Sequence, residues 1–397
     1  MNYRDLITKS LYFSGKQSIA DLSRSIGRSI PSINNCIQQL LQEEIIISTG
    51  FASSTGGRRP SEYVLNVPKL PYILAIAIDQ HSLAISLMDL SNRIIKGALL
   101  EPIDLHSESN LDKKILGLSD IYLSNHATIA ISAIGITMPG FVNAAEGTNS
   151  SFTESHPLFD IKGKVERHFN LPTFIENDSA AIAIAEHKFG AARSSADVLI
   201  VNLNWGIGLG MILKNELFRG HTGFAGEFSH IPVSDRNKLC SCGKRGCLEV
   251  EASLRAALEY AHSKLASGET SQLSQLFQRT NNVTLDQLFE AAINGDQTAI
   301  ESFAQVSYML GKGIATLIHL INPEKIIISG RGAKIGQILL PQIQASILEF
   351  SINRLSKYTS IEISSLENVQ AIGSVCIAVL GLKGEFQKQK LPETVLI

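Results

Sequence analysis

The segment Gly226–Glu251, GEFSHIPVSDRNKLCSCGKRGCLEVE, decides how the chain is read. Three of the five cysteines, Cys240, Cys242 and Cys247, fall within eight residues, and His230 lies ten positions before the first. Thiolates and imidazole are preferred ligands of tetrahedral Zn²⁺, and four of them close a structural site. Gly243 and Gly246 permit turns tight enough to aim three sulfurs at one point. A buried apolar Cys pair beside an unrelated His is the alternative. Clustering between turn glycines favours a structural zinc ion on His230, Cys240, Cys242 and Cys247.

Two acids flank these ligands. Glu227 precedes His230 by three positions, and Glu249 follows Cys247 by two. A metal-bound imidazole leaves its second ring nitrogen for a polar partner, so a metal would hold Glu227, His230 and Glu249 in fixed positions. Converging acceptors of that kind suit the vicinal hydroxyls of a sugar. Spacing alone leaves the two acids equally readable as solvated surface carboxylates.

AGEFSH (225–230) followed by CSCGKRGCLE (240–249) resembles the paired signature of the ROK family, which groups repressors, open reading frames and sugar kinases. The resemblance implies zinc on the His and three Cys, and sugar contacts from Glu227, His230 and Glu249. Ser229 stands where the family usually has Gly. Further family features recur from about Tyr72 to Gly381.

A chain of 397 residues exceeds one ordinary core, so two or three domains are expected. Its 44% hydrophobic and 18% charged residues describe a globular protein rather than a disordered one. A net charge of −2 gives no whole-chain signal for nucleic acid, so any DNA contact must be local. MNYRDLITKS lacks a signal-peptide pattern, and no apolar run reaches membrane-span length. Clustered cysteines suit a reducing compartment. A cytoplasmic protein without membrane contact is expected.

Residues 1–67 read as a winged helix-turn-helix. Leu6, Ile7 and Leu11 mark one helix, and Ile19, Leu22 and Ile26 a second. Gly27-Arg28 forms the turn. Ser29 caps a third helix with Pro31 in its first turn. That helix is expected to bury Ile30, Ile33, Ile37, Leu40 and Leu41 and to present Ser32, Asn34, Asn35, Gln38 and Gln39. Asn and Gln pair bidentately with adenine in the major groove, where the second helix of such a motif lies. Ile45–Ile47 and Ser61–Val67 read as strands around a loop ending in Gly57, Arg58 and Arg59, residues suited to phosphates or a minor groove. The segment carries seven Lys/Arg against five Asp/Glu, a net of +2. A three-helix protein-interaction module is the other reading. Residues 68–71 form the expected linker.

Beyond the linker, strands alternate with helices. The resemblance implies an α/β, two-lobed actin-like ATPase (ribonuclease H-like) fold. Lobe 1 would cover 72–190 with a C-terminal helix 371–388 packing back, and lobe 2 would cover 191–370 with the zinc site. Sugar kinases of the family carry Asp-x-Gly-x-Thr after the first strand; this chain has Asp79-Gln80-His81-Ser82. Asn204-Trp205 replaces Gly-Thr in the second phosphate loop, and Arg331 interrupts a Gly-Gly pair on the adenosine side. Without glycine, phosphate cannot approach the backbone. The sugar side departs less. Thr137-Met138-Pro139-Gly140 resembles the loop over the sugar, and Glu176-Asn177-Asp178 carries the kinase general base at Asp178 and a hydroxyl-binding Asn177. By itself Asp178 reads as a helix cap, and only together with Glu227, His230 and Glu249 as a sugar contact.

The expectation is a sugar-responsive regulator, a repressor rather than an enzyme. It would bind operator DNA as a homodimer or dimer of dimers and sense a sugar or sugar phosphate through Gly140, Asn177, Asp178, Glu227, His230 and Glu249. Sugar would close the lobes and alter the spacing of paired heads. A sugar kinase with an accessory DNA-binding head is the rival, and a sugar-responsive scaffold without DNA binding is a third reading.

Overall fold

Helix α1 (Tyr3–Ser14) leads to a two-residue strand, β1 (Gln17–Ser18), and Ser18 then starts the second helix. Its Oγ accepts the Asp21 N–H at 3.2 Å while the Asp21 carboxylate takes the Ser18 N–H at 3.1 Å. This reciprocal cap opens α2 (Ile19–Ile26), and Gly27, at φ 69°, closes it. Ser29 caps α3 (Ile30–Gln42), with Pro31 in the first turn. Strands β2 (Ile46–Phe51) and β3 (Ser61–Leu65) complete a sheet of order β1-β3-β2. The computed structural model describes residues 3–51, 60–126, 129–384 and 386.

Ile7, Leu11, Leu22, Ile33, Ile37 and Leu40 are buried in the core of this head. Two expected members differ. Ile30 is 55% exposed, since it opens α3 beyond the turns whose apolar side chains are covered. Leu41 is only half-buried, being rotated about 100° around the helix from Leu40.

The fold divides into two compact units, Met1–Ala181 with Gln370–Ile397, and Ile182–Val369. In the first, β4 (Tyr72–Ile78), β5 (Ser82–Met88) and β6 (Ile94–Pro102) form an antiparallel meander, followed by α4 (Leu111–Ser124). Strand β7 (Ile131–Met138) adds parallel to β4. A hairpin of β8 (Val142–Asn143) and β9 (Thr148–Asn149) and helix α5 (Ile161–Phe169) precede β10 (Thr173–Asn177), which adds parallel to β7. The order is β10-β7-β4-β5-β6. β7 ends at Met138, because Pro139 cannot donate to the ladder. Helix α6 (Asp178–Phe189) follows β10 without a loop, and the division between units falls inside it.

The second unit repeats the plan. Strands β11 (Val198–Leu203), β12 (Ile207–Leu213) and β13 (Glu216–Leu217) form a meander. After α7 (Leu248–Ala252), α8 (Leu254–Ala266), α9 (Ser274–Thr280), α10 (Leu285–Ile293) and α11 (Gln297–Ile321), β14 (Lys325–Ser329) adds parallel to β11. Then α12 (Gly336–Phe350) and α13 (Asn353–Ser356) lead to β15 (Ser360–Ile363), parallel to β14. The order β13-β12-β11-β14-β15 mirrors the first sheet strand for strand. Both central strands of each sheet are buried along nearly their whole length, hence the unbroken Ile/Leu/Val runs.

Helix α14 (Val369–Gly381) belongs with the first unit. It ends short of the expected 388: Gly384 sits at φ 108°, outside helical backbone, and residues 385, 387 and 388 lie outside the described ones.

Candidate metal centre and sugar-contact residues

The knuckle carrying the cysteines is shaped by backbone geometry. Val233 N–H donates to the Gly246 carbonyl at 2.8 Å and Leu248 N–H to Ile231 at 2.9 Å, pairing the two arms. Cys240 N–H donates to Lys244 and Gly243 N–H to Cys240, forming the tip. Gly246, at φ 74°, packs so closely that a Cβ there would lie 2.2 Å from the Ser234 carbonyl oxygen. Only glycine fits that position. Gly243, at φ 82°, faces open space.

This folding brings one ligand atom each of His230, Cys240, Cys242 and Cys247 within 4.8 Å of one another. Cys240 Sγ lies 3.6 Å from His230 Nδ1, and Cys242 Sγ lies 3.7 Å from Cys247 Sγ. Three thiols and an imidazole converging on one point form a site that can hold a metal ion. His230 Nε2 points the other way, 3.8 Å from the Glu227 carboxylate. Desolvation holds Glu227 above the usual carboxylate range, opposed by His230 and reinforced by the charge of Glu249. Glu249 sits in the first turn of α7, directly after Cys247.

Behind the knuckle lies a group that residue spacing did not reveal. Glu251 is fully buried and accepts the Tyr260 hydroxyl at 3.0 Å, with Arg236 of the knuckle at 3.6 Å. Arg236 also donates to the Tyr260 oxygen at 2.6 Å. Burial, then the Glu251 charge, pushes the Tyr260 hydroxyl up to about 12. The cluster fastens the arm between His230 and Cys240 to helix α8.

In the first unit, Asn177 and Gly140 are joined. Asn177 Nδ2 donates to the Gly140 carbonyl at 3.0 Å, and its Oδ1 accepts the N–H groups of Ser179 and Ala180 at 2.9 and 3.1 Å. Asn177 therefore caps α6, the role the sequence offered to Asp178. Asp178 is the first helical residue, buried, and its Oδ1 accepts the Ser179 N–H at 2.8 Å. The carboxamide of Asn177 retains one N–H for a ligand. Gly140, at φ 103°, is held by two further residues: its Cβ position lies 2.4 Å from Ser151 Oγ and 3.1 Å from Asn149 Oδ1.

The departures from a phosphate-binding pattern also have a structure. In the second unit, Asn204 Oδ1 accepts the Arg331 N–H at 2.9 Å, and the Asn204 and Trp205 carbonyls accept the N–H groups of Leu254 and Arg255 at 3.2 and 3.3 Å. The Arg331 guanidinium pairs with Asp286 at 2.7 Å. In the first unit, the Asp79 carboxylate accepts the Gln80 N–H at 2.6 Å. The Arg331 and Gln80 N–H groups at these turns are occupied from within the protein.

In the head, Asn35 and Gln38 are exposed on α3, and Ser32 and Asn34 partly so. The Ser29 and Ser32 hydroxyls bond each other at 2.9 Å. Gly57, Arg58 and Arg59 lie outside the described residues. Among the described residues, no helix is long and apolar enough to cross a membrane.

Comparison with known proteins agrees with this architecture. The chain is 28% identical over 386 residues to a xylose repressor of Caldicellulosiruptor bescii, spanning 94% of each. The structure of a ROK family transcriptional regulator, described as a homologue of the Escherichia coli Mlc protein, superposes with a TM-score of 0.75 at 25% identity, covering 95% of this chain and 96% of that one. A ROK family glucokinase of Streptomyces griseus, in complex with glucose and AMPPNP, gives 0.69 at 26% identity and covers 78% of this chain and all of its own. The ROK family pattern itself matches residues 73–379, so this chain, a winged helix-turn-helix followed by two α/β units of one plan, belongs to the ROK family.

Proposed function

We propose that the protein is a sugar-responsive, DNA-binding transcriptional regulator, acting as a repressor of carbohydrate-use genes. The observation that carries this reading is the head: a Ser29-capped α3 presents Asn35 and Gln38 on a winged helix-turn-helix joined to a ROK portion. Likeness to a xylose repressor along 94% of the chain supports it, since that match includes the head. Operator DNA would contact Ser29, Ser32, Asn34, Asn35, Gln38, Gly57, Arg58 and Arg59. A cytoplasmic homodimer, or a dimer of dimers, would place two heads on half-sites one helical turn or a multiple apart.

The metal is zinc in this reading. A tetrahedron with Zn–S of about 2.3 Å and Zn–N of about 2.0 Å has S···S edges of about 3.8 Å and S···N edges of about 3.5 Å. The observed 3.7 and 3.6 Å match those edges. The ion is structural, because four protein ligands leave no open position. It fixes the knuckle that presents Glu227, His230 and Glu249 to sugar hydroxyls, while Gly140, Asn177 and Asp178 supply further contacts. Sugar then favours one of two conformations of the chain that differ in DNA affinity.

Fluorescence anisotropy on the protein's own upstream DNA, at stated salt and with D-xylose, D-glucose and N-acetyl-D-glucosamine titrated in, tests the reading. Sequence-preferring binding that one sugar alters supports it, and equal binding to random DNA with no sugar effect refutes it. The second reading, an ATP-dependent sugar kinase, is favoured by Asp178 at the head of α6 and by the likeness to the glucokinase. It predicts ATP consumption abolished by Asp178→Asn.

A further inference from the structure

Helix α14 touches both ends of the first unit. Near its start, the Gln370 side chain donates to the Ile78 carbonyl at 3.0 Å, at the end of β4. Ser374 Oγ lies 3.1 Å from Thr137 Oγ1, on the strand that runs into Pro139 and Gly140. At its far end, Lys9 of α1 donates to the Leu380 carbonyl at 3.1 Å and to that of Leu382. Those carbonyls lack intrahelical donors, and a cation there also meets the negative end of the helix dipole. Lys9 and its partner Asp5, 3.3 Å away, are both buried.

The seating of the helix leaves no slack. A Cβ on Gly135 would lie 1.9 Å from the Ser374 carbonyl oxygen, and one on Gly373 would lie 2.9 Å from the carbonyl of Ala181 in α6. One on Gly381 would enter the ring of Phe174 on β10, at 2.2 Å. Backbone approaches this close make shifts of β7, β10 or the start of α6 displace α14 as a body. The head end is also tied twice more. Tyr12 of α1 donates to Asn92 Oδ1 at 2.6 Å, and Arg4 of α1 pairs with Glu43 at the end of α3.

We propose that α14 is the rod through which Gly140, Asn177 and Asp178 and the DNA-binding head bias one another, with Lys9 as the coupling residue. The identity of the two end ligands, sugar and DNA, rests on the regulator reading; the mechanical link does not. A free-energy coupling of this kind is reciprocal, so perturbing either end must be felt at the other.

The experiment is amide hydrogen exchange on the full chain in two variants. Asp5→Asn/Lys9→Met removes the cap without leaving a buried lone charge, and Gly373→Ala lifts α14 from α6. The first should raise exchange at least about five-fold in 135–140 and 177–181, and the second should do so in α1. Unchanged exchange at the far end in the folded variants overturns the rod; if Gly373→Ala fails to fold, the double variant decides alone. Anisotropy on the upstream DNA then separates the two ideas. A sugar response present in the parent protein and at least about five-fold weaker in Asp5→Asn/Lys9→Met supports the coupling. A response equal in both overturns it, while no response in the parent counts against the regulator reading and leaves the exchange result to judge the rod.

Discussion

Asn204 holds Arg331 by its backbone, the carboxamide oxygen accepting the amide N–H at 2.9 Å. That bond joins the turn at Asn204 to the turn at Arg331, which the family resemblance reads as phosphate and adenosine turns, and it satisfies the Arg331 N–H from within the protein. A triphosphate docking on the Arg331 N–H would have to break it. The chain should therefore show no ATP turnover with D-glucose, D-xylose or N-acetyl-D-glucosamine in a coupled assay. Asn204→Ala should cost about 1–3 kcal/mol by orphaning the Arg331 N–H, read by urea denaturation, without creating turnover.

Removing a metal ligand should release the ion. Cys240→Ser or Cys242→Ser should lower bound zinc from one equivalent toward none by elemental analysis. Glu227→Ala, which removes only the carboxylate facing His230 Nε2, should weaken the metal by at most about ten-fold, at the low end for an outer-shell partner. Loss of zinc with an unchanged sugar response would break the proposed link between knuckle and pocket.

Two neighbouring glycines should behave differently. Gly246→Ala drives a Cβ into the Ser234 carbonyl and should abolish metal retention. Gly243→Ala meets open space and should cost only the roughly 1 kcal/mol of left-handed backbone strain, with zinc retained. Zinc content of the two purified variants checks this.

Tyr260 makes a prediction at alkaline pH. Its folded pKa of about 12 exceeds the usual value near 10, so its contribution to stability is complete below about pH 10 and is lost as pH rises toward 12. Absorbance at 295 nm should show several late-titrating tyrosines, since Tyr12, Tyr122 and Tyr308 are also held above the usual value, and Tyr260→Phe should lose the component near 12. That variant should also show a flatter decline of stability above pH 10.

On the head, Gln38→Ala or Asn35→Ala should reduce discrimination between operator and random DNA by about 1–3 kcal/mol. Arg58→Ala or Arg59→Ala should instead weaken both alike and lower the salt slope by about 1 for each phosphate no longer neutralised. Ser29→Ala should cost about 1 kcal/mol of stability through the cap. Anisotropy over a salt series and thermal denaturation separate these effects.

What could be read from sequence depended on how local the cause was. The His/Cys cluster that can hold a metal was legible because its four residues and turn glycines lie within one short segment. Strands β4 and β11 are legible as strands, since doubly buried strands leave uninterrupted apolar runs. Two-residue β1 carries no such pattern and was missed. The α6 cap was offered to Asp178 because acids favour that place, whereas the bond geometry chooses Asn177, one residue earlier. Glu251 escaped notice because its role needs Arg236 and Tyr260, which only packing assembles.

The first unit is assembled from both ends of the chain. Lys9 and its acceptor Leu380 are 371 residues apart. At about 5–20 residues per second, the ribosome delivers that acceptor some tens of seconds after the lysine. During synthesis the head can fold locally and meet Asn92 through Tyr12, but the Lys9 part of its seat cannot form until α14 emerges. A nascent chain stalled before 369 thus lacks the Leu380 and Leu382 acceptors of Lys9 and keeps the Tyr12–Asn92 tie, so the full restraint waits for α14.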